Sequence, residues 1–194
     1  MSKITIAAVL GVLLAGCSTA RMPELSQYQA EFAPFASAES VSAVTFRRPG
    51  TVGNLPQCIA EVVSNQGETL SDSAGSFFGA YTGNYYVSHN ASQATGGNVI
   101  EYVASDRGSV VASGSVRYQV NALVARSVRF KLSAKQGETG RIYRFGSLQQ
   151  AQLDSGVAAN NGYNPLGSWA GANPDLAVKS LSHLVDQIDG CLAR

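Results

Sequence analysis

The chain has 194 residues, which is long enough for one domain with a buried core and a short additional segment. Charged residues make up 14% of it, against about a quarter in ordinary soluble domains. Lys and Arg number 14 and Asp and Glu 13, so the net charge of +1 excludes whole-chain charge as an argument for any partner.

The first sixteen residues have the composition of a secretory signal peptide. Lys3 is followed by an apolar run over 4–14, and the small residues Ala15 and Gly16 precede Cys17. A basic start, an apolar middle and a small-residue cleavage site are the three parts of such a signal. The run is about half of the roughly 20 apolar residues that a membrane-spanning helix needs, so a transmembrane segment is the weaker interpretation.

The four residues that end this run, Leu14-Ala15-Gly16-Cys17, resemble the lipobox of bacterial lipoproteins. The resemblance implies that residues 1–16 are removed, that the Cys17 thiol is diacylated, and that the new amine can be acylated as well. One acyl chain holds a protein only marginally, whereas two or three anchor it stably. Ser18 stands where an Asp would retain such a protein in the inner membrane. The resemblance therefore implies an outer-membrane lipoprotein that faces the periplasm.

Two cysteines, Cys58 and Cys191, remain once Cys17 is counted as a lipid attachment point. An even pair in an oxidising compartment is typical of a disulfide. Two separate buried thiols are the alternative. A metal site is weaker still, because two cysteines without neighbouring His or Asp do not supply four ligands.

Residues 17–53 are predicted to be the lipidated cysteine and a tether. They contain Pro23, Pro34 and Pro49 among small residues and show no sustained period. Within this segment, 24–35 favours a short helix and 41–46 a first strand. The domain itself is expected to begin at residue 54.

The first part of the domain has a less regular pattern. The CIAEVV run that starts at Cys58 predicts a strand, because turn residues bound it. The following stretch is rich in Gly, Ser and aromatic residues, and a short helix is predicted near 73–81. Gly75, Gly79 and Gly83 recur every four residues, which on a helix would form one small-residue face for close packing. A glycine-rich loop is the alternative.

Four strand-like runs follow in quick succession, over 98–105, 109–120, 126–135 and 141–148. Apolar and polar residues alternate along the last three, which is the period of half-buried strands. Their short connections predict an antiparallel meander. The residues expected to point inward from its last two strands are Val128, Phe130, Leu132, Tyr143 and Phe145.

A long loop and a helix close the chain. Composition predicts a loop over 154–173, in which Trp169 is expected to be a packing anchor rather than a stacking site for a ligand. Asn173 is expected to cap the helix and Pro174 to take its first position. The helix has one apolar stripe, formed by Val178, Leu181, Val185, Ile188 and Leu192. This stripe predicts a helix packed on the inner face of the sheet, with Cys191 near Cys58.

These elements predict a single α+β domain over 54–194, in which an antiparallel sheet of four to six strands carries the C-terminal helix across one face. The order of strand, insert, four-strand meander and long helix resembles the TATA-binding-protein-like or helix-grip arrangement of several uncharacterised lipoprotein families. The resemblance covers roughly 55–193 and depends on element order. Fold alone does not fix a function.

Basic residues are concentrated in the predicted meander. Eight of them lie between residues 107 and 144, where Glu138 is the only acidic residue. The alternation places four opposite the apolar faces, namely Arg117, Arg129, Lys131 and Arg144. They are candidates for a basic face that docks an anionic envelope partner, whether an acidic protein, lipid headgroups or cell-wall carboxylates. The alternative is that these charges only solubilise exposed strands and block edge pairing.

The sequence contains no glycine loop for phosphates, no zinc or calcium spacing and no G-x-S-x-G motif. We therefore expect no enzyme, no cofactor, no metal and no nucleic-acid partner. The favoured function is a non-catalytic outer-membrane lipoprotein that acts as an envelope binding or assembly module. A second possibility is a small or lipidic ligand in a cavity between helix and sheet, lined by Phe130, Phe145 and Leu184.

An envelope hydrolase is a third possibility. Ser73, His89 and Asp72 supply the residue types of a serine triad. In a chain so rich in serine, such a combination is expected by chance, so this function is the weakest of the three.

Overall fold

A computed structural model describes residues 20–50, 53–104 and 108–194. The predicted signal peptide, Cys17 and Ser18 lie outside these residues. The described chain forms one large antiparallel sheet, two small two-stranded sheets and two α-helices.

The bounds of the elements in chain order are as follows. The strands are β1 (Gln29–Phe35), β2 (Ala38–Pro49), β3 (Glu68–Asp72), β4 (Phe77–Phe78), β5 (Tyr85–Tyr86), β6 (Asn90–Ala94), β7 (Ile100–Ala104), β8 (Ser109–Gln119), β9 (Ala125–Gln136), β10 (Gly140–Gln152) and β11 (Asn164–Pro165). The helices are α1 (Leu55–Val62) and α2 (Pro174–Leu192), and short 3-10 helices cover Pro23–Gln27 and Ala170–Ala172.

The main sheet has the strand order β1-β2-β10-β9-β8-β7, and every neighbouring pair is antiparallel. The short strand β11 pairs with β10 and makes the sheet seven-stranded. The predicted fold class is confirmed, since an antiparallel sheet carries the C-terminal helix α2 on one face. The expected meander is β7-β8-β9-β10, whose short connections place consecutive strands side by side.

The core lies between the inner face of the sheet and α2. Leu132, Tyr143 and Phe145 are fully buried, as the alternation along β9 and β10 predicts. Four side chains of the predicted helical stripe are fully buried as well, namely Val178, Leu181, Val185 and Ile188. Each such side chain contributes about 1.5 to 3 kcal/mol when it leaves water, so this contact is a main source of stability.

The first helix lies where the CIAEVV pattern predicted a strand, so that prediction was wrong. Leu55, Cys58 and Ile59 are buried, and their spacing is that of one helical face. Asn54 caps the helix, because its side-chain oxygen accepts a hydrogen bond from the Gln57 amide at 3.3 Å.

The predicted disulfide is confirmed. Cys58 of α1 and Cys191 of α2 are bonded, with their Cα atoms 5.7 Å apart and 133 positions between them in the chain. The bond holds α1 against the last turn of α2.

The prediction that 17–53 is a tether is wrong for the part that forms β1 and β2. β2 pairs with β10 inside the sheet, and its Val41 and Val44 are fully buried. The strand expected over 41–46 is confirmed. The helix expected over 24–35 is wrong, because β1 occupies most of that stretch.

The prolines of this segment led to the prediction of a tether, because proline is uncommon inside strands. Pro34 lies in β1, an edge strand, and Pro49 ends β2, and both positions tolerate the missing backbone donor. The fold therefore begins much earlier than residue 54. The Met22 amide already donates a hydrogen bond to the Ser168 carbonyl at 2.8 Å.

The segment before α2 differs from the prediction in one detail. Pro174 begins the helix, but Asn173 makes no side-chain hydrogen bond to the helical amides. Its side-chain oxygen instead accepts from the Arg126 guanidinium at 3.1 Å. Trp169 lies against Gly167, where a Cβ atom would come within 2.5 Å of the indole ring, so only glycine allows this approach.

Candidate functional site

The predicted basic residues lie on the face of the sheet opposite α2, which we call the open face. They alternate along β8, β9 and β10 with buried residues such as Phe130 and Phe145. Since side chains of a strand point alternately to its two sides, these four point away from the core. They are Arg117, Arg129, Lys131 and Arg144.

Three of these four side chains are paired with carboxylates from other strands. The pairs are Arg144 with Glu31 of β1 at 2.7 Å, Lys131 with Glu101 of β7 at 2.9 Å, and Arg117 with Glu68 of β3 at 2.8 Å. Each pair cancels the charge of the basic residue locally. Carboxylates therefore neutralise three of the four predicted basic residues, whereas the fourth, Arg129, contacts uncharged groups.

Two of these carboxylates titrate lower than usual. The hydrogen bond from Arg144 lowers the pKa of Glu31. Hydrogen bonds from the Ser113 hydroxyl and from Lys131 lower the pKa of Glu101. Both carboxylates are consequently ionised at neutral pH and neutralise their basic partners there.

Arg129 has partners of another kind. It donates to the Thr95 carbonyl at 2.9 Å, and its guanidinium lies 4.1 Å from the centre of the Tyr163 ring. A cation over an aromatic ring is an attractive contact. Arg129 thereby fastens two loops, the β6–β7 connection and the segment before β11, onto the sheet.

The β3–β6 pair covers one end of the open face. Glu68 of β3 is buried, and its carboxylate accepts hydrogen bonds from Arg117 and, at 3.3 Å, from the Ser127 hydroxyl of β9. At the other end of β3, the Ser71 amide donates to the Leu153 carbonyl at 2.8 Å. The small sheet is thus tied to the large one at both ends of β3.

The uncovered part of the open face is a groove with two lobes, of about 690 Å³ and about 440 Å³. The lobes share Lys131, Ser147 and Gln149. The register of β10 shifts between Gly146 and Gln149, where Ser147 has a left-handed φ of 52°. Because Gly146 has no side chain, the floor is low at this bulge.

The groove has a hydrogen-bonding floor. Ser133 of β9 stands in cross-strand register between Val111 of β8 and Arg144 of β10. Tyr102, which is 61% exposed, pairs with Val111 at the β7 edge and ends this row. The row therefore presents the Ser133 hydroxyl of β9, the neutralised Arg144 guanidinium of β10 and the exposed Tyr102 ring of β7. The strand alternation predicted the face that Arg144 takes, but it gave no sign of the groove or of Ser133 as part of it.

The side chains proposed to line a cavity between helix and sheet fill that space themselves. Phe130 and Phe145 pack edge to face with their ring centres 5.0 Å apart. Both rings and Leu184 belong to one buried cluster. A cavity of about 460 Å³ that Leu184 borders lies at the edge of this contact, between α2 and β8, and neither phenylalanine lines it.

Asp72, the carboxylate of the proposed triad, is bound to partners other than His89. Both Asp72 oxygens are occupied, since they accept from the Asn90 side chain at 2.6 Å and from the Asn160 amide at 2.9 Å. The Asn90 bond is the main reason that the pKa of Asp72 is lowered. Among the described residues, no hydrogen bond joins His89 to Asp72 or Ser73. Asp72 therefore organises a loop junction.

The segment over 73–81 that was predicted to be helical belongs to a β-hairpin, so that prediction was wrong. We call residues 77–86, which comprise β4, its turn and β5, the aromatic hairpin. Its rings face each other across the strands, Phe77 with Tyr86 at 5.1 Å and Phe78 with Tyr85 at 4.8 Å. Gly83 has a left-handed φ of 68°, so the turn explains this glycine better than helix packing does.

Comparison with known proteins gives no assignment, because no protein family, no curated protein and no solved structure matches the chain. In the part of the chain that the structure describes, no helix has the length and hydropathy to cross a bilayer. The same residues contain no group of three or more His, Cys, Asp or Glu side chains that could hold a metal ion.

Proposed function

We propose that the protein is a lipid-anchored outer-membrane lipoprotein without catalytic activity, which binds an envelope component in the groove of its open face. The anchor rests on the lipobox resemblance at Cys17. The disulfide between Cys58 and Cys191 supports it, since such bonds persist in oxidising compartments such as the periplasm.

The groove is the observation that carries the binding function. Part of one face of the sheet is left uncovered, and the groove there is lined by residues of five neighbouring strands, β2, β10, β9, β8 and β7. Its floor is held in place by the sheet ladders and by the Lys131–Glu101 and Arg144–Glu31 pairs. A rigid floor binds a partner without first having to become ordered.

The chemistry of the floor favours a polar partner without high charge. Lys131 and Arg144 already have carboxylate partners, so a polyanion would have to displace Glu101 and Glu31. Hydroxyl and amide groups of Ser133 and Gln149 suit a partner that donates and accepts hydrogen bonds. We therefore propose that the groove binds an uncharged, hydrogen-bonding part of the cell wall or of an envelope protein.

Site-specific photocrosslinking in cells tests this function. A benzophenone amino acid at Ser133, on the groove floor, is expected to form a discrete adduct with the partner. The matched position is Lys179, which is exposed on α2 behind the sheet. Adding Gln149→Trp, which places an indole ring where the two lobes meet, should remove the Ser133 adduct.

An adduct at Ser133 that Gln149→Trp abolishes supports the groove. Equal adducts at Ser133 and Lys179, or an adduct that Gln149→Trp leaves unchanged, would exclude the groove as the binding site. A circular dichroism spectrum like that of the wild type checks that each variant is folded.

A further inference from the structure

The aromatic hairpin exposes a group of large aromatic side chains to water. Phe78 is 74% exposed, and Tyr81 at the tip is fully exposed. Phe77, Tyr85 and Tyr86 are each exposed by at least 44%. Contiguous exposed apolar patches usually mark a surface that contacts another molecule or a membrane.

The hairpin is also held in a fixed shape. The Gly79 amide donates to the Asn84 carbonyl at 2.9 Å, and the Thr82 and Tyr86 hydroxyls are 3.2 Å apart. At its base, the Ser88 amide donates to the Ser76 hydroxyl at 2.9 Å. These hydrogen bonds hold the rings in one arrangement. The rings are therefore exposed to solvent even though the segment is folded.

The stretch of sequence that contains the hairpin has no acidic residue, lysine or arginine. From residue 73 to residue 100 the sequence contains no Asp, Glu, Lys or Arg. Removing such a segment from water costs much less than removing a charged one. Tyrosine has an apolar ring and a polar tip, which is why it is enriched where a membrane meets water.

The base of the hairpin lies at the end of the sheet where β10 ends and β9 begins. The Ser73 amide donates to the Gly156 carbonyl at 2.6 Å. Just before Gly156, the Leu153 amide donates to the Ala125 carbonyl at 3.0 Å. β3 runs toward this end, so the hairpin that follows it extends from the same end.

The described N-terminal segment lies at this end too. Arg126, the second residue of β9, donates to the Ala172 carbonyl at 2.7 Å. The neighbouring Ser168 carbonyl accepts from the Met22 amide at 2.8 Å. Cys17 is five residues before Met22, so covalent geometry keeps the two within about 18 Å of each other.

From this placement we infer that the aromatic hairpin inserts its rings into the headgroup region of the membrane to which Cys17 is anchored. The inference rests on the lipid anchor of the proposed function. The anchor and the hairpin then form two contacts on one end of the molecule. Two contacts restrict the orientation of the domain, whereas a lipid tether alone would let it rotate freely.

A fluorescence experiment tests the inference independently of cellular acylation. The chain 17–194 is coupled through the Cys17 thiol to a maleimide lipid in vesicles of phosphatidylethanolamine and phosphatidylglycerol. The other two cysteines are in the disulfide and do not react. Tyr81→Trp reports on the hairpin tip, and Thr139→Trp reports on the exposed turn at the opposite end of the sheet.

Lipids with a nitroxide near the headgroup are expected to quench roughly half of the fluorescence that Tyr81→Trp adds, and little of that from Thr139→Trp. The wild-type signal of Trp169 is subtracted from both. Equal quenching of the two variants would overturn the inference. So would a blue shift of Tyr81→Trp that appears without vesicles and grows with protein concentration, since the hairpin would then dock on a second copy.

A protein that is not acylated at Cys17 would give a different set of results from one whose hairpin does not contact the membrane. Acylation at Cys17 is measured on protein from cells, by mass, and does not enter the vesicle experiment. A chain that is not acylated in cells but is quenched on vesicles would contradict only the lipoprotein proposal. An acylated chain whose hairpin is not quenched would contradict only the membrane contact.

Discussion

Glu68 has a buried carboxylate, with 3% of the residue exposed. An ionised carboxylate there costs several kcal/mol unless charged or hydrogen-bonding groups surround it. Arg117 and the Ser127 hydroxyl are those groups. The Arg117 side chain keeps 64% of its surface in water, so the pair gives up little of the hydration of the guanidinium. This contact fixes where β3 lies on the large sheet.

Substitution Glu68→Gln is expected to lower the free energy of unfolding by about 1 to 3 kcal/mol, because it removes the charge that Arg117 and Ser127 surround. Urea unfolding followed by circular dichroism measures the change. The matched control is Glu138→Gln, at an exposed turn, which should change stability by less than about 0.5 kcal/mol. Equal effects of the two variants would contradict the role given to Glu68.

The sequence predicts Arg117 as an exposed basic residue but gives no sign of its partner. Strand alternation tells which face a side chain takes and nothing about which distant segment lies over it. Glu68 is 49 positions away, and Glu31 is 113 positions from Arg144. The charge of the open face could therefore not be predicted, although the position of its basic residues could.

The strands in which apolar and polar residues alternate regularly were predicted correctly. The elements whose structure depends on helix caps and tight turns were not. β8, β9 and β10 alternate cleanly because one side of each is buried under α2. In α1, the apolar residues of CIAEVV suit a strand, and only the Asn54 cap with Pro56 in the first turn indicates a helix. The aromatic hairpin was missed because its two-residue strands are too short to show a period.

The disulfide couples the two helices, so its loss acts at the scale of elements. The substitutions Cys58→Ala and Cys191→Ala together are expected to lower the free energy of unfolding by up to about 5 kcal/mol, because the bond closes a loop of 133 positions. Urea unfolding with and without a thiol reductant measures this. The double variant should be insensitive to the reductant. Wild-type protein that unfolds at the same urea concentration with and without reductant would contradict the expectation.

At the scale of the whole molecule, the main correction is the length of the tether. The sequence predicts that the domain begins at residue 54, which would let it move far from the membrane. Since Met22 is already bound to the fold, only a few residues separate Cys17 from the domain. A lipid at Cys17 would therefore hold one end of the sheet close to the membrane.

The central claim is that Cys17 anchors the protein, and the mass of the chain isolated from cell envelopes tests it most directly. The account predicts a chain of residues 17–194 that carries two or three acyl chains on its N-terminal cysteine and the disulfide between Cys58 and Cys191. Substitution Cys17→Ser should yield a chain without acyl groups. A wild-type chain that begins at another residue, or one with an unmodified Cys17, would contradict the account.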